Sequence, residues 1–124
     1  MAAKRPKNLN LFTIRLPLPA LVSILHRASG AFLFLLLPLL LFLLQQSLAS
    51  SATYDEVHAL LKTPLLRLIY LIIIWAYLHH ALAGLRHLAF DAHWGLNLRF
   101  ARASSMGVLI VSVVLTVLMG FLLW

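Results

Sequence analysis

The stretch "LIYLIIIWAYLHHALAGLRH", residues 68–87, decides the class of this protein. From Leu68 to Leu78 it carries no charge, and it then closes on three imidazoles and a guanidinium. Extended upstream to Pro64, a residue suited to a first helical turn, and downstream to about Phe90, it exceeds the roughly 20 apolar residues that carry a helix across a bilayer core. A membrane helix that accepts His and Arg near one end does so for a reason, because such groups are costly in hydrocarbon.

Two further runs of the same kind flank it. One extends over residues 20–45, with "AFLFLLLPLLLFLL" as its most apolar part and Pro38 inside it, where membrane helices tolerate a kink. The other extends over residues 104–124 and ends on a Trp suited to the interface. The expected fold is therefore all-α: an integral membrane protein with three transmembrane helices, a single domain over residues 1–124, whose spans are about 20–45, 64–90 and 104–124. Three helices have few neighbours to cover their polar positions, so association with further membrane helices is expected.

Composition agrees, since 124 residues that are 63% hydrophobic and 10% charged do not describe a small soluble domain. Without cysteine there is no disulfide framework, thiolate metal site or Cys-linked haem, which leaves His or carboxylate as metal ligands. The net charge of +7 does not point to nucleic acid, because the basic residues flank apolar runs and do not form a soluble patch.

Residues 1–19, "MAAKRPKNLNLFTIRLPLP", are basic and proline-punctuated and read as an arm at the membrane surface. The polar stretch "QQSLASSATYDEVHALLKTP" leaves room for a short interfacial helix, and "DAHWGLNLRFARA" reads as the second linker. "SLASSA" superficially resembles a signal-peptidase site, but the long segment ahead of the apolar run does not fit an ordinary charged n-region. Lys4, Arg5, Lys7, Arg15, Arg27, Arg86, Arg99 and Arg102 fall on one side of the spans, and only Lys62 and Arg67 on the other. The positive-inside rule then makes the N-terminus and second linker cytoplasmic and the C-terminus periplasmic, in a bacterial inner membrane.

On a helix, His80, Gly84, His87 and Asp91 share one face, while His79 and Arg86 form a neighbouring stripe about 100° away. His80 lies roughly 16 Å from the cytoplasmic end of its span, near mid-membrane. Neutral imidazole is a good iron ligand, and the missing side chain at Gly84 leaves room for a flat macrocycle. His87 is too far along the helix to bind the same iron, so a second axial ligand comes from His26 or from a partner subunit. Spacing alone equally admits a His80 that bonds across to another helix, with Gly84 permitting close packing. His79 reads as a packing or hydrogen-bonding residue. Arg86 and His87 either snorkel to the surface or reach haem propionates, and Asp91 reads as a helix-end ion-pair partner of one of them.

The second constellation is "SILHRASG", residues 23–30. Ser23 and Arg27 stand at i and i+4, and His26 and Gly30 on an adjacent face. A hydroxyl donor beside a fixed positive charge suits a quinone, with Ser23 bonding a carbonyl oxygen and Arg27 stabilising the reduced anion. The competing reading makes Arg27 a positive-inside anchor and Ser23 a backbone-bonded helix residue. No Ser-His-Asp or paired-carboxylate arrangement is suggested, so no catalytic residue is assigned.

These residues resemble the large cytochrome b membrane-anchor subunits of succinate dehydrogenase, respiratory complex II. "RPKNLNLFTIRLPLP" resembles the N-terminal signature of that family, "SILHRASG" its Ser-Ile-x-His-Arg-x-[Ser/Thr]-Gly, and "HHALAGLRHLAFD" its His-x3-Gly-x-Arg-His-x3-Asp. The resemblance covers essentially the whole chain.

It implies that His80 is an axial ligand of haem b, shared with a small membrane-anchor subunit that supplies the other histidine. It implies that Ser23 and Arg27 belong to the ubiquinone site, with His26, Arg86 and His87 around the haem propionates. Partners would be the small anchor, an iron–sulfur subunit and a flavoprotein carrying FAD, docked on the cytoplasmic side. Two other readings compete: the anchor of a quinol:fumarate reductase, and a non-catalytic membrane scaffold or small transporter subunit whose histidines only pack.

Overall fold

The computed structural model describes Asn10 and residues 13–123, which form four helices: α1 (Leu18–Ala49), α2 (Ser51–Leu61), α3 (Pro64–Asp91) and α4 (Leu98–Leu123). Most of the arm expected over residues 1–19, and Trp124, lie outside the described residues.

The boundaries follow from local chemistry. A proline stands in the first turn of both α1 and α3, where its missing N–H costs nothing. Between α1 and α2, Ser50 adopts extended geometry and forms a capping box: its Oγ accepts from Thr53 N at 3.1 Å, and Thr53 Oγ1 accepts from Ser50 N at 3.1 Å. After Asp91 the chain turns through His93 (φ 62°) and Gly95 (φ 73°), both in the left-handed region, and Asn97 Oδ1 accepts from Phe100 N at 2.7 Å at the start of α4.

α1, α3 and α4 are each long and apolar enough to cross a membrane. Their 32, 28 and 26 residues reach roughly 48, 42 and 39 Å at about 1.5 Å per residue, against a hydrocarbon core of about 30 Å. α3 matches its expected span of 64–90 to one residue, whereas α1 and α4 run past the stretches from which their spans were expected. α1 continues through Pro38 to Ala49, and α4 begins at Leu98, within the expected linker. Hydropathy reports where lipid ends, whereas the helix continues until a cap or turn stops it. The short helix that the polar stretch after the first span left room for is present as α2.

α3 runs antiparallel to α4, since Arg86 meets Ser104 near one end and Leu71 meets Gly120 at the other. Along α1 the order is likewise reversed, with Gly30 against His80 and His26 against Gly84. The interior of this three-helix set is narrow and built from small residues: Val22, Ala76, Ala83 and Val108 are buried together with Ser29, Ser105, Ser112, His79 and Arg86. Ser105 and Ser112 turn their hydroxyls back onto the carbonyls of Ala101 and Leu109, so they pack without leaving an unpaired donor. Large apolar side chains such as Phe34, Leu35, Leu65 and Phe121 face outward. Small or polar residues inside and apolar ones outside is the distribution that a hydrocarbon solvent selects.

α2 folds back against α1. Under it lies a cavity of about 420 Å³ lined by Leu40, Leu44, Val57, Ile69 and Tyr70.

Candidate functional site

The α1–α3 seam carries a column of imidazoles. His80 and His87 are seven residues apart on α3, so nearly two full turns bring them to the same face. The ring of His26, from α1, enters between them. It stacks on His80 with centroids 4.3 Å apart and planes 10° from parallel, and it lies 5.1 Å from the ring of His87 at 47°. Three of the expected site residues, His26, His80 and His87, are thus brought together.

Two glycines face the imidazoles across the seam. A Cβ on Gly84 would stand 3.5 Å from His26 Nε2, an ordinary contact. A Cβ on Gly30 would stand 2.7 Å from His80 Cε1, a distance that carbon atoms do not tolerate. Gly84 faces His26 across the seam, with room for a methyl group beside it. Gly30 is the glycine that the observed seat of the His80 ring requires.

The His80 ring has a defined tautomer. Its Nδ1 lies 3.0 Å from the His26 carbonyl oxygen, which can only accept, so Nδ1 carries the proton and donates it. The Ser29 hydroxyl donates to the same carbonyl at 2.9 Å and lies 3.4 Å from His80 Nδ1. The other nitrogen, Nε2, keeps its lone pair. It makes no hydrogen bond among the described residues, and it is not among the enclosed nitrogens of the structure.

His79, one residue earlier, is the opposite case. It is completely buried, its ring stacks on Trp75 at 5.2 Å, and both of its nitrogens are enclosed without a hydrogen bond. Of the two roles expected for His79, packing is realised.

Arg86 points away from the imidazole column, as its position on the neighbouring stripe required. It is 8% exposed and bound to α4: Nε donates to Ser104 Oγ at 3.0 Å, a terminal nitrogen donates to the Ala101 carbonyl at 3.1 Å, and the guanidinium lies 4.4 Å over the Phe90 ring. It does not snorkel. Asp91 is exposed, and no ion pair joins it to Arg86 or His87 among the described residues.

Ser23 and Arg27 sit near the start of α1, one turn apart, Ser23 half-buried and Arg27 exposed. Ser23 makes no hydrogen bond among the described residues, so its hydroxyl is not consumed by the helix backbone. The described residues enclose neither side chain, and any pocket around them needs further walls.

Ser29 was not singled out by sequence reasoning, although it stands inside "SILHRASG". The signal was the pair of small residues Ser29 and Gly30, three and four positions after His26, which marks a face where another helix comes close. The column does not form a metal cage: among the described residues no group of three or more His, Cys, Asp or Glu side chains is arranged to hold one metal ion.

Comparison with known proteins places this arrangement. The profile of the succinate dehydrogenase/fumarate reductase transmembrane subunits matches residues 1–119. The succinate dehydrogenase cytochrome b556 subunit of Coxiella burnetii is 39% identical over 125 residues, covering 100% of both chains. That of Paracoccus denitrificans is 36% identical over 114 residues, covering 92% of this chain and 88% of the relative. That of Rickettsia typhi is 27% identical over 117 residues, covering 94% and 90%. A chain with three apolar spans, a histidine seam between two of them and a match of this extent belongs to the family of succinate dehydrogenase/fumarate reductase transmembrane subunits.

Proposed function

We propose that this chain is the large membrane-anchor subunit of a succinate:ubiquinone oxidoreductase, that His80 supplies one axial ligand of a haem b, and that Ser23 and Arg27 form part of the ubiquinone-reduction site. The observation that carries the haem assignment is the contrast between the two adjacent histidines. His79 is sealed with both nitrogens inside the bundle, whereas His80 has Nδ1 held by a carbonyl and Nε2 neither enclosed nor hydrogen-bonded among the described residues. A carbonyl-bonded Nδ1–H that leaves Nε2 basic is the arrangement that metal-ligating histidines use.

The donor set fits a haem shared between subunits: one outward imidazole nitrogen per chain, with the second ligand from the small anchor. When bound, such a group supplies a one-electron store. This chain's own part is to hold the half-buried His80 ring in one tautomer and orientation. His26, stacked on His80, and His87, tilted against the far side of His26, continue the column along the seam and would lie around the haem propionates. Arg86, committed to α4, supports the seam from behind.

At the cytoplasmic entrance of α1, the Ser23 hydroxyl, which makes no hydrogen bond among the described residues, donates to a quinone carbonyl and Arg27 places a fixed positive charge beside it. Reduction adds two electrons and two protons, and both groups favour the form in which charge has built up on oxygen. The remaining walls come from the small anchor and the iron–sulfur subunit, with FAD held in the flavoprotein. The charge bias supports an N-terminus and second linker on the cytoplasmic side of a bacterial inner membrane, facing those soluble subunits. The fumarate reductase reading uses the same residues with the reaction reversed. A scaffold whose histidines only pack would enclose His80 as it encloses His79.

The test is a reduced-minus-oxidised spectrum of the complex purified through a tag on this chain, with His80→Ala beside it. The expected result is a b-type band that the variant loses or alters. A band unchanged in His80→Ala removes the ligand assignment. Arg27→Ala is expected to lower ubiquinone reduction at least tenfold while succinate oxidation by an artificial dye persists, and equal loss of both would take Arg27 out of the quinone site.

A further inference from the structure

The His26 carbonyl is oversubscribed. By helix geometry it is the acceptor for the Gly30 N–H of its own helix, and it also accepts the Ser29 hydroxyl at 2.9 Å and the His80 Nδ1–H at 3.0 Å. A carbonyl oxygen has two lone pairs, so three donors compete for it. Ser29 is buried at the α1–α3 seam.

We propose that Ser29 is a positioning residue for the haem ligand: by sharing the His26 carbonyl with His80 Nδ1–H, its hydroxyl limits how strongly that N–H is polarised and so how basic Nε2 is. The proposal rests on His80 being the ligand. A serine that bonds back to its own helix three residues earlier is common in membrane helices and by itself means nothing. Here the acceptor is the one that orients His80, and the Ser29 oxygen lies 3.4 Å from the same nitrogen. Gly30 completes the device, since any side chain there would drive the imidazole off the carbonyl.

The sign follows from the competition. Without the hydroxyl, the carbonyl is a stronger acceptor for Nδ1–H, the imidazole becomes more electron-donating through Nε2, and the oxidised iron is favoured. Ser29→Ala should retain haem and lower its midpoint potential. Ser29→Thr, which keeps the hydroxyl, should restore the native value. Ser29→Cys, close in size and a weaker donor, should fall between.

The experiment is a spectroelectrochemical titration of the haem band in the purified complex for native, Ser29→Ala, Ser29→Thr, Ser29→Cys and His80→Ala. The ordered downward shift, with haem content unchanged, supports the proposal. A native complex with a band that His80→Ala removes, but with Ser29→Ala at or above the native potential, overturns this inference and leaves the ligand assignment standing. A Ser29→Thr variant shifted as far as Ser29→Ala also overturns it, because the effect would then be packing. If Ser29→Ala does not assemble, the Ser29→Cys value decides alone. A band untouched in His80→Ala overturns the ligand assignment and this inference with it.

Discussion

A buried imidazole without a hydrogen bond is a cost that most folds avoid, at about 1–3 kcal/mol for an unsatisfied polar group. His79 carries two such nitrogens in the centre of the bundle. His79→Phe keeps the ring against Trp75 and removes the orphaned donor and acceptor. The purified complex is therefore expected to melt at the same temperature or a few degrees higher, with its haem band intact, as followed by thermal loss of the band. Disappearance of the band in this variant would move the ligand to His79. The two seam glycines separate in the same way. Gly30→Ala meets His80 Cε1 and Gly84→Ala has room beside His26 Nε2. The first is expected to lose or perturb haem, with about 1–3 kcal/mol of overpacking, and the second to stay near native. Spacing put His80, Gly84 and His87 on one face, which the structure bears out. It could not tell which glycine was obligatory, because that depends on how α1 is seated against α3, a relation between segments that neither segment contains.

At the scale of helices, Arg86 fastens α4 to α3 through a side-chain oxygen and a carbonyl, in a region where little else but small residues meets. Each hydrogen bond from a charged donor is worth about 1.5–3 kcal/mol when its loss strands a buried group. Here the acceptors keep other bonds, since the Ala101 carbonyl also accepts from Ser104 and Ser105. Arg86→Ala should therefore lower the melting temperature of the complex clearly without abolishing assembly, and Arg86→Lys, which lacks the planar fork, should recover only part. The haem midpoint of the surviving complex is expected to stay put. A shifted midpoint with unchanged melting would return Arg86 to the propionates, where sequence resemblance put it. Periodicity already separated Arg86 from the His80 stripe, but it could not name α4 as the partner. Helix ends were less legible than helices. Ser50 and Thr53 mark the α1–α2 break by their chemistry, whereas His93 in left-handed geometry carries no sequence signal comparable to Gly95.

At the scale of the molecule, the number and order of spans were readable because hydrocarbon imposes a length and a composition on each. Orientation is set by the surrounding membrane and not by packing, so it has to be measured from either side. The absence of cysteine makes that measurement clean. Ser51→Cys, exposed at the start of α2, and Trp94→Cys, exposed in the α3–α4 turn, stand beyond opposite ends of α3. With eight of the ten basic residues on the side of the second linker, α2 should be periplasmic and Trp94 cytoplasmic. A membrane-impermeant maleimide applied to intact spheroplasts is then expected to label Ser51→Cys, and Trp94→Cys only after lysis. The reverse pattern would put the Ser23–Arg27 end of α1 on the outer face, away from any subunit that draws electrons from succinate in the cytoplasm, and the quinone assignment would fall with it. Labelling of both positions from outside would mean that one of the three apolar helices does not span.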